Sequence, residues 1–299
     1  MITDDDISSP VAPVHGRADG VVDLQIGHHL RVKRGLSEEQ VGEVLRFQRR
    51  HGMRFGEAAI ALGFATGDDV LWALSKQFHY PYAPERKSNL DPELVAAADP
   101  FSDDAEVFRD MRSRLMAETQ PGPDDPARAL AVMSADVGDG KSYFAANLAV
   151  AYGQLGVNTL LVDADMRTPR LHRLFALDEG PGLSSVLSGR PEPNVIRRVD
   201  GLPSLHVLPV GALPPNPLEL VQRPAFGLLM RELLTRFDHV IVDTPAAAHG
   251  ADARVIADKS GAALVIGRRR LTRMSALQRL LTDLGRTSAK VAGVMVNEH

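Results

Sequence analysis

The sequence predicts an α/β chain: a mostly parallel sheet covered by helices on both faces, preceded by a small all-α domain made of a duplicated hairpin. Two observations predict it. From residue 128 onward, short apolar runs at 129–133, 159–162, 205–209, 239–242, 262–266 and 291–296 alternate with helical patterns, as strands joined by helical crossovers do. Ahead of them lies an internal repeat at an offset of 29 residues. Composition sets the outer limits. The 299 residues, 44% hydrophobic and 24% charged, are enough for two domains with cores of their own. With no cysteine, a disulfide framework, a Cys-ligated zinc, an iron–sulfur cluster and a thiol nucleophile are all excluded. A net charge of −4 offers no positive field to nucleic acid, and no apolar run reaches the roughly 18 residues of a membrane span. The acidic start, MITDDDISS, lacks the apolar stretch of a secretion signal, so a cytoplasmic protein is expected.

Taken in order, residues 1–22 carry Asp4-Asp5-Asp6 and no apolar period, and predict a disordered tail. In the module at 23–82, Ile26-Gly27 recurs as Phe55-Gly56, Ser37 as Thr66, Val41 as Val70, Leu45 as Leu74 and Gln48 as Gln77. Each copy predicts a short helical piece, a turn, a cap and a longer helix. Ser37-Glu38-Glu39-Gln40 forms a capping box, and Thr66-Gly67-Asp68-Asp69 resembles one. The matched apolar residues fall at helical spacing, so two hairpins that bury one stripe each pack as one unit. A proline-punctuated polar connection follows at 83–100. Residues 104–118 predict an amphipathic helix with Val107, Met111 and Leu115 on one face, stopping before the loop at 120–126. The α/β domain is assigned to 101–299.

The chemistry sits at the ends of the predicted strands. Ala135-Asp136-Val137-Gly138-Asp139-Gly140-Lys141-Ser142 follows the first strand and opens a helix at Tyr143. This is a P-loop pattern, with Ala135 where the simple pattern has its first Gly, and it makes the domain a P-loop NTPase. Gly138 and Gly140 let backbone N–H groups curl around phosphate oxygens, Lys141 reaches the β- and γ-phosphates, and the Ser142 hydroxyl ligates Mg²⁺. The nucleotide site is assigned to Val137, Gly138, Asp139, Gly140, Lys141, Ser142 and Tyr143. A second strand ends in Asp163-Ala164-Asp165 and a third in Asp243-Thr244-Pro245. Side chains two apart on an extended strand share a face, so Asp163 and Asp165 are expected to point at one metal–phosphate centre. Carboxylates at the C-terminal edge of a parallel sheet lie where such folds bind ligands.

These motifs resemble the bacterial tyrosine kinases of exopolysaccharide synthesis, in particular the EpsG-type chain-length-determinant kinases. The likeness rests on Gly138-Asp139-Gly140-Lys141-Ser142, Ala145-Ala146-Asn147-Leu148-Ala149 and Asp163-Ala164-Asp165-Met166-Arg167-Thr168-Pro169-Arg170. It continues through Pro214-Pro215-Asn216-Pro217-Leu218-Glu219-Leu220, Val242-Asp243-Thr244-Pro245-Ala246 and Val296-Asn297. The resemblance implies ATP- and Mg²⁺-dependent tyrosine phosphorylation, with catalytic residues Lys141, Asp163, Asp165 and Asp243. In it Ser142, Asp165 and Asp243 organise the metal, and Asp163 orients or deprotonates the attacking hydroxyl. It further implies a membrane chain-length-determinant protein as partner, a location at the inner membrane through that partner, and a ring of subunits. The ring-forming element is matched by Glu106-x-x-Arg109-x-x-Arg112, whose plain alternative is a solvated, salt-bridged helix face.

The N-terminal module resembles the helical domain of type II secretion and pilus ATPases, some of which bind cyclic di-GMP through a duplicated Arg-(Leu/Phe)-Gly pattern. Here only the second copy, Arg54-Phe55-Gly56, retains the arginine, so docking of a partner protein stands beside dinucleotide binding. Two alternatives to a kinase remain from the sequence. A ParA/MinD-like ATPase shares the fold, but Asp136 stands where those proteins carry a second lysine. A nucleotide-gated scaffold would fit the scarcity of tyrosine, limited to Tyr80, Tyr82, Tyr143 and Tyr152, with no cluster at the C-terminal end.

Overall fold

Runs of Val, Leu, Ile and Ala long enough for one strand each, separated by helices, build the sheet at the centre of the second of two folded units. The computed structural model describes residues 18–77, 89–100, 102–119, 126–190 and 192–298. The chain divides into units at residues 1–85 and 86–299.

The first unit holds α1 (Ala18–Arg34), α2 (Glu38–His51), α3 (Phe55–Ala61) and α4 (Gly67–Gln77). Helix α1 has 17 residues, so the first copy of the repeat opens on a long helix and not on a short piece, and residues 18–22 belong to it and not to a tail. Both capping boxes form. The Gln40 N–H donates to the Ser37 hydroxyl at 3.2 Å, and the Thr66 N–H donates to the Asp69 carboxylate at 2.8 Å. The repeated glycines mark close crossings: a Cβ at Gly27 would meet the Phe55 ring at 3.3 Å, and one at Gly56 would meet Val70 Cγ1 at 2.6 Å. The core consists of Ile26, Leu30, Leu36, Val44, Phe55 and small alanines. Trp72 packs at its side, with the Lys33 ammonium 4.8 Å from its ring centre.

The second unit contains α5 (Val95–Ala98), α6 (Asp103–Thr119), β1 (Ala129–Ser134), α7 (Lys141–Gly153) and β2 (Thr159–Asp163). It continues through α8 (Leu171–Leu174), α9 (Leu183–Leu187), β3 (Arg197–Val199), β4 (Leu202–Leu208), α10 (Pro217–Gln222), α11 (Pro224–Arg236) and β5 (His239–Asp243). The last elements are α12 (Asp252–Ser260), β6 (Gly261–Arg268), α13 (Met274–Leu284) and β7 (Lys290–Asn297). Among the described residues the sheet has seven strands in the order β3-β4-β2-β5-β1-β6-β7. All neighbours are parallel except β3 against β4. Strand β3, three residues with arginine at two positions, carries no apolar pattern that would announce it. Strands β1 and β2 are buried throughout, as expected where helices cover both faces. Helix α7 is buried on nearly every side and carries one core layer, while α10, α11, α12 and α13 complete the layer opposite.

Two expectations need correction. From residue 89 the connection assigned to 83–100 is a packed strap. Leu94 and Ala96 are buried, and buried Asn147 of α7 holds the strap by accepting the Ala96 N–H at 3.0 Å and donating to the Glu93 carbonyl at 2.9 Å. On α6, Leu115 and half-buried Met111 face the core as expected, together with Ala105 and Phe108, whereas Val107 is exposed. The Phe108 ring meets those of Tyr143 and Phe144 at 5.8 and 5.5 Å, and a large aromatic wins that contact over a neighbouring valine.

Replacing Asn147 with Leu keeps the volume but leaves the Ala96 N–H and the Glu93 carbonyl without partners. We expect a loss of about 3 kcal/mol in urea unfolding of the full chain. An unchanged midpoint would show that the strap contributes nothing to the fold.

Candidate active site

The apolar run of β1 ends at Ser134, and the following small and flexible residues turn the chain into α7. Gly138 and Gly140 take left-handed backbone, φ 86° and 97°, which side-chain-bearing residues adopt only under strain. Gly140 caps α7, so the N-terminal N–H groups and dipole of a 13-residue helix face the loop. The loop is braced from behind. The buried Asp139 carboxylate accepts the Asp136 N–H at 3.0 Å and the Thr272 hydroxyl at 2.7 Å. The Asn297 amide donates to the Asp139 carbonyl at 3.2 Å and the Arg268 guanidinium donates to the Gly138 carbonyl at 3.0 Å. With those carbonyls occupied, the loop has N–H donors left to offer an anion. Lys141, buried, and Ser142, half-buried, open the helix, Tyr143 is half-buried behind them, and Val137 stands exposed at the loop tip.

Asp163 and Asp243 are direct neighbours in the parallel pairing of β2 and β5, and both are fully buried. Burial pushes the Asp163 carboxyl well above the usual carboxylate range, and the charges of Asp243 and Asp165 push it further. Burial likewise raises Asp243, to about 7, although the Ser142 hydroxyl and the Lys141 ammonium pull the other way. The Ser142 hydroxyl is near enough to exert that pull, yet neither Asp243 oxygen has a hydrogen bond of normal geometry. A buried carboxylate with both oxygens unpartnered is costly unless a cation meets it. That is the observation by which the site fits Mg²⁺. Among the described residues no three carboxylates or histidines form a metal cage of their own.

Asp165 reaches the same place by a different route from the one expected. Strand β2 ends at Asp163, so the two do not share a strand face. Asp165 lies in the turn beyond, where its carboxylate accepts the Arg167 N–H at 3.1 Å, the Thr168 N–H at 2.9 Å and the Thr168 hydroxyl at 2.9 Å. Its own N–H donates to Asp163 at 3.2 Å, and the Leu171 N–H donates to the other Asp163 oxygen at 3.2 Å. The turn is thus wound around two carboxylates. It is tied to α12 by Arg167, whose guanidinium lies 3.1 Å from both oxygens of buried Asp252, and to the strap by Arg170, 2.5 Å from Glu93.

The Glu106, Arg109, Arg112 element is engaged within the chain. Arg109 pairs with Glu106 at 2.5 Å and donates to the Pro100 carbonyl, and Arg112 donates to the Ala151 carbonyl of α7 at 2.5 Å. Glu106 remains exposed. Of the tyrosines, Tyr152 is buried, and Tyr80 and Tyr82 lie outside the described residues.

No protein-family model matches the chain. Tyrosine-protein kinase YwqD of Bacillus subtilis (strain 168) is 30% identical over 212 residues, which cover 71% of this chain and 88% of that one. The chain belongs to the bacterial tyrosine-protein kinases. The match to the tyrosine-protein kinase ptk of Acinetobacter johnsonii is 36% identical over 159 residues but spans only 22% of that longer protein. Among solved structures, the chimerical protein CapA2B2 is 32% identical with a TM-score of 0.64, over 78% of this chain and 99% of that one. The kinase domain of the Escherichia coli tyrosine kinase ETK is 28% identical with a TM-score of 0.65, over 71% and 81%. The septum site-determining protein MinD of Pyrococcus horikoshii, at 21% identity and TM-score 0.51 over 57% of this chain and 70% of that one, shares the fold alone.

Several residues that shape the kinase site were not singled out from the sequence. Thr272 and Arg268 brace the phosphate loop from the far end of the chain, and nothing local marks them. Thr168 and Asp252 lie in or near quoted motifs, but their partners are visible only once β2 and α12 are side by side.

The raised carboxyls set a testable pH dependence. Because the folded protein holds the Asp243 proton up to about pH 7 and the unfolded chain releases it near 3.8, this group's contribution to stability is present at low pH and is lost as pH rises through that window. The melting temperature of the nucleotide-free kinase, relative to Asp243→Asn, is therefore expected to fall between pH 4 and 7, and Mg²⁺ with ATP to reverse the fall. Parallel curves for the two proteins would contradict it.

Proposed function

We propose that this kinase transfers the γ-phosphoryl group of ATP to protein tyrosine and thereby acts on the chain length and export of an exopolysaccharide. The observation that carries the reading is the unpartnered, buried Asp243 carboxylate beside Lys141 and the glycine loop. The loop's N–H groups and the α7 N-terminus hold the phosphates, and Lys141 sets its ammonium against the β- and γ-oxygens. Ser142, Asp165 and Asp243 would hold Mg²⁺, which when bound supplies charge neutralisation across those oxygens. Asp163, once positive charge at the site lets its raised carboxyl ionise, would take the phenol proton as the tyrosine oxygen attacks phosphorus and the ADP oxygen leaves. Phosphoryl transfer asks mainly for positioning and compensating charge, which these residues supply.

The partner in this reading is the cytoplasmic segment of a membrane chain-length-determinant protein, which would hold the kinase at the inner membrane. Among the described residues no helix is long and apolar enough to cross a membrane. Self-association through Glu106, Arg109 and Arg112 would compete with the contacts the two arginines make within the chain. For the first unit, docking of a protein is the reading supported over cyclic di-GMP. Its cavity of about 210 Å³, lined by Gly27, His28, Arg31, Val41, Leu45 and Phe55, falls short of the roughly 300 Å³ of ordinary ligand sites.

The test is phosphosite mapping by mass spectrometry after incubation with ATP, Mg²⁺ and the partner's cytoplasmic segment. We expect phosphotyrosine on an accessible acceptor, none on Tyr152, and a drop of about a hundredfold or more in Lys141→Met. No phosphotyrosine on either protein would sink the assignment.

A further inference from the structure

Strand β7 ends the sheet, and among the described residues no strand pairs with its outer edge. Such an edge is a ready template for another strand, and natural proteins commonly blunt it with charge, proline or a short length. Charge and proline are absent from the middle of β7, and its one register shift against β6 falls at Ala292, ahead of the exposed Val294 and Val296. The strand is eight residues long, reads Lys-Val-Ala-Gly-Val-Met-Val-Asn, and exposes Val294 at 44% and Val296 at 58%. In the pairing with β6, Val294 stands beside Val265 and Val296 beside Gly267. Val265 belongs to the core layer under α13, so Val294 and Val296 continue that apolar face outward past the helix that covers it.

The loop between β6 and α13 extends the same surface. Its first N–H, from Arg269, donates to the Asn297 carbonyl at 2.8 Å, which fixes the loop against the end of β7. Leu271 and Met274 are exposed at 63% and 67%, large values for residues with nothing polar to offer. Arginines stand at 268, 269, 270, 273 and 279, and no acidic residue occurs between 268 and 282. Arg269 is paired with Glu298 at 2.8 Å and Arg268 is committed to the phosphate loop, so Arg270 and Arg273 are the exposed cations of the rim.

We propose that the β7 edge and the 269–274 loop form a docking surface for an extended, acidic segment of a partner protein, which adds a strand to the sheet beside β7. The strand's backbone would bond the open edge, and alternate apolar side chains would cover Val294, Val296, Leu271 and Met274. Its carboxylates would meet Arg270 and Arg273. The open edge decides for a strand over a lipid surface, since a strand offers donors and acceptors in the alternating register of the edge and lipid does not. The place also bears on catalysis. Asn297 and Arg268, at the ends of β7 and β6, both hold carbonyls of the phosphate loop, so an added strand would stiffen the wall that braces the nucleotide cradle.

The probe is a phage-displayed library of random peptides of the length of β7, selected on the full chain with Mg²⁺ and ATP. The enriched peptides should alternate β-branched or aromatic residues with polar ones and carry Asp or Glu. They should bind about tenfold more weakly to Val294→Asp/Val296→Asp and, separately, to Arg270→Glu/Arg273→Glu. Hydrogen exchange on binding should slow at amides of β7. The loop variant leaves the strand untouched, so it keeps the test valid if the valine variant misfolds. Enriched peptides that bind the loop variant and the parent equally, exchange that slows elsewhere, or no enrichment at all would overturn the proposal. So would binding to phosphatidylglycerol vesicles that depends on Leu271 and Arg270, in the absence of peptide binding.

Discussion

The structure of the catalytic unit depends on one electrostatic constraint: two carboxylates, Asp163 and Asp243, are buried side by side at the ends of adjacent parallel strands. Like charges so placed cannot both ionise at neutral pH without a cation. Much of the local architecture answers that constraint. The turn after β2 wraps its N–H groups onto Asp163 and Asp165, the α7 N-terminus brings Lys141 and its dipole to Asp243, and Asp243 itself is left open. An unsatisfied carboxylate kept in the interior is costly unless a positive group meets it, and here it lies beside Lys141 and the glycine loop.

How much of this was legible beforehand follows from where the forces are local. The glycine loop and the two strand-end aspartates were readable because the required backbone shapes and residue types lie within a few positions of one another. The six long strands were readable from their apolar runs. Strand β3 was not, since three residues with two arginines carry no period, and it exists only because β4 offers an edge. The strap at 89–98 looked like a connection because its sequence is polar and proline-marked. It is ordered by Asn147 and Gln154 on a helix more than fifty positions later, and no local pattern announces such contacts. The same reason explains Val107 on α6, which stays exposed because the aromatic contact of Phe108 with α7 takes the inward place.

Asp165 shows a further limit. The sequence places it beside Asp163 by strand alternation, whereas a turn held by Thr168 does the positioning. The ring-forming helix shows the reverse. A motif that looks available for another subunit has its two arginines already spent on Pro100, Glu106 and Ala151 of its own chain. The internal contacts of these arginines are not visible in the sequence motif alone.

The first unit holds the one tryptophan of the chain, Trp72, packed beside His29 and Lys33. Its indole emission is thus a private optical channel for that unit. Excited at the red edge of the protein's absorption, the molecule reports the helical hairpins and is silent about the kinase fold, whose own aromatic signal comes from tyrosine and phenylalanine. The two halves of the chain are spectrally labelled by composition, and their unfolding or ligand responses can be followed apart in the intact protein.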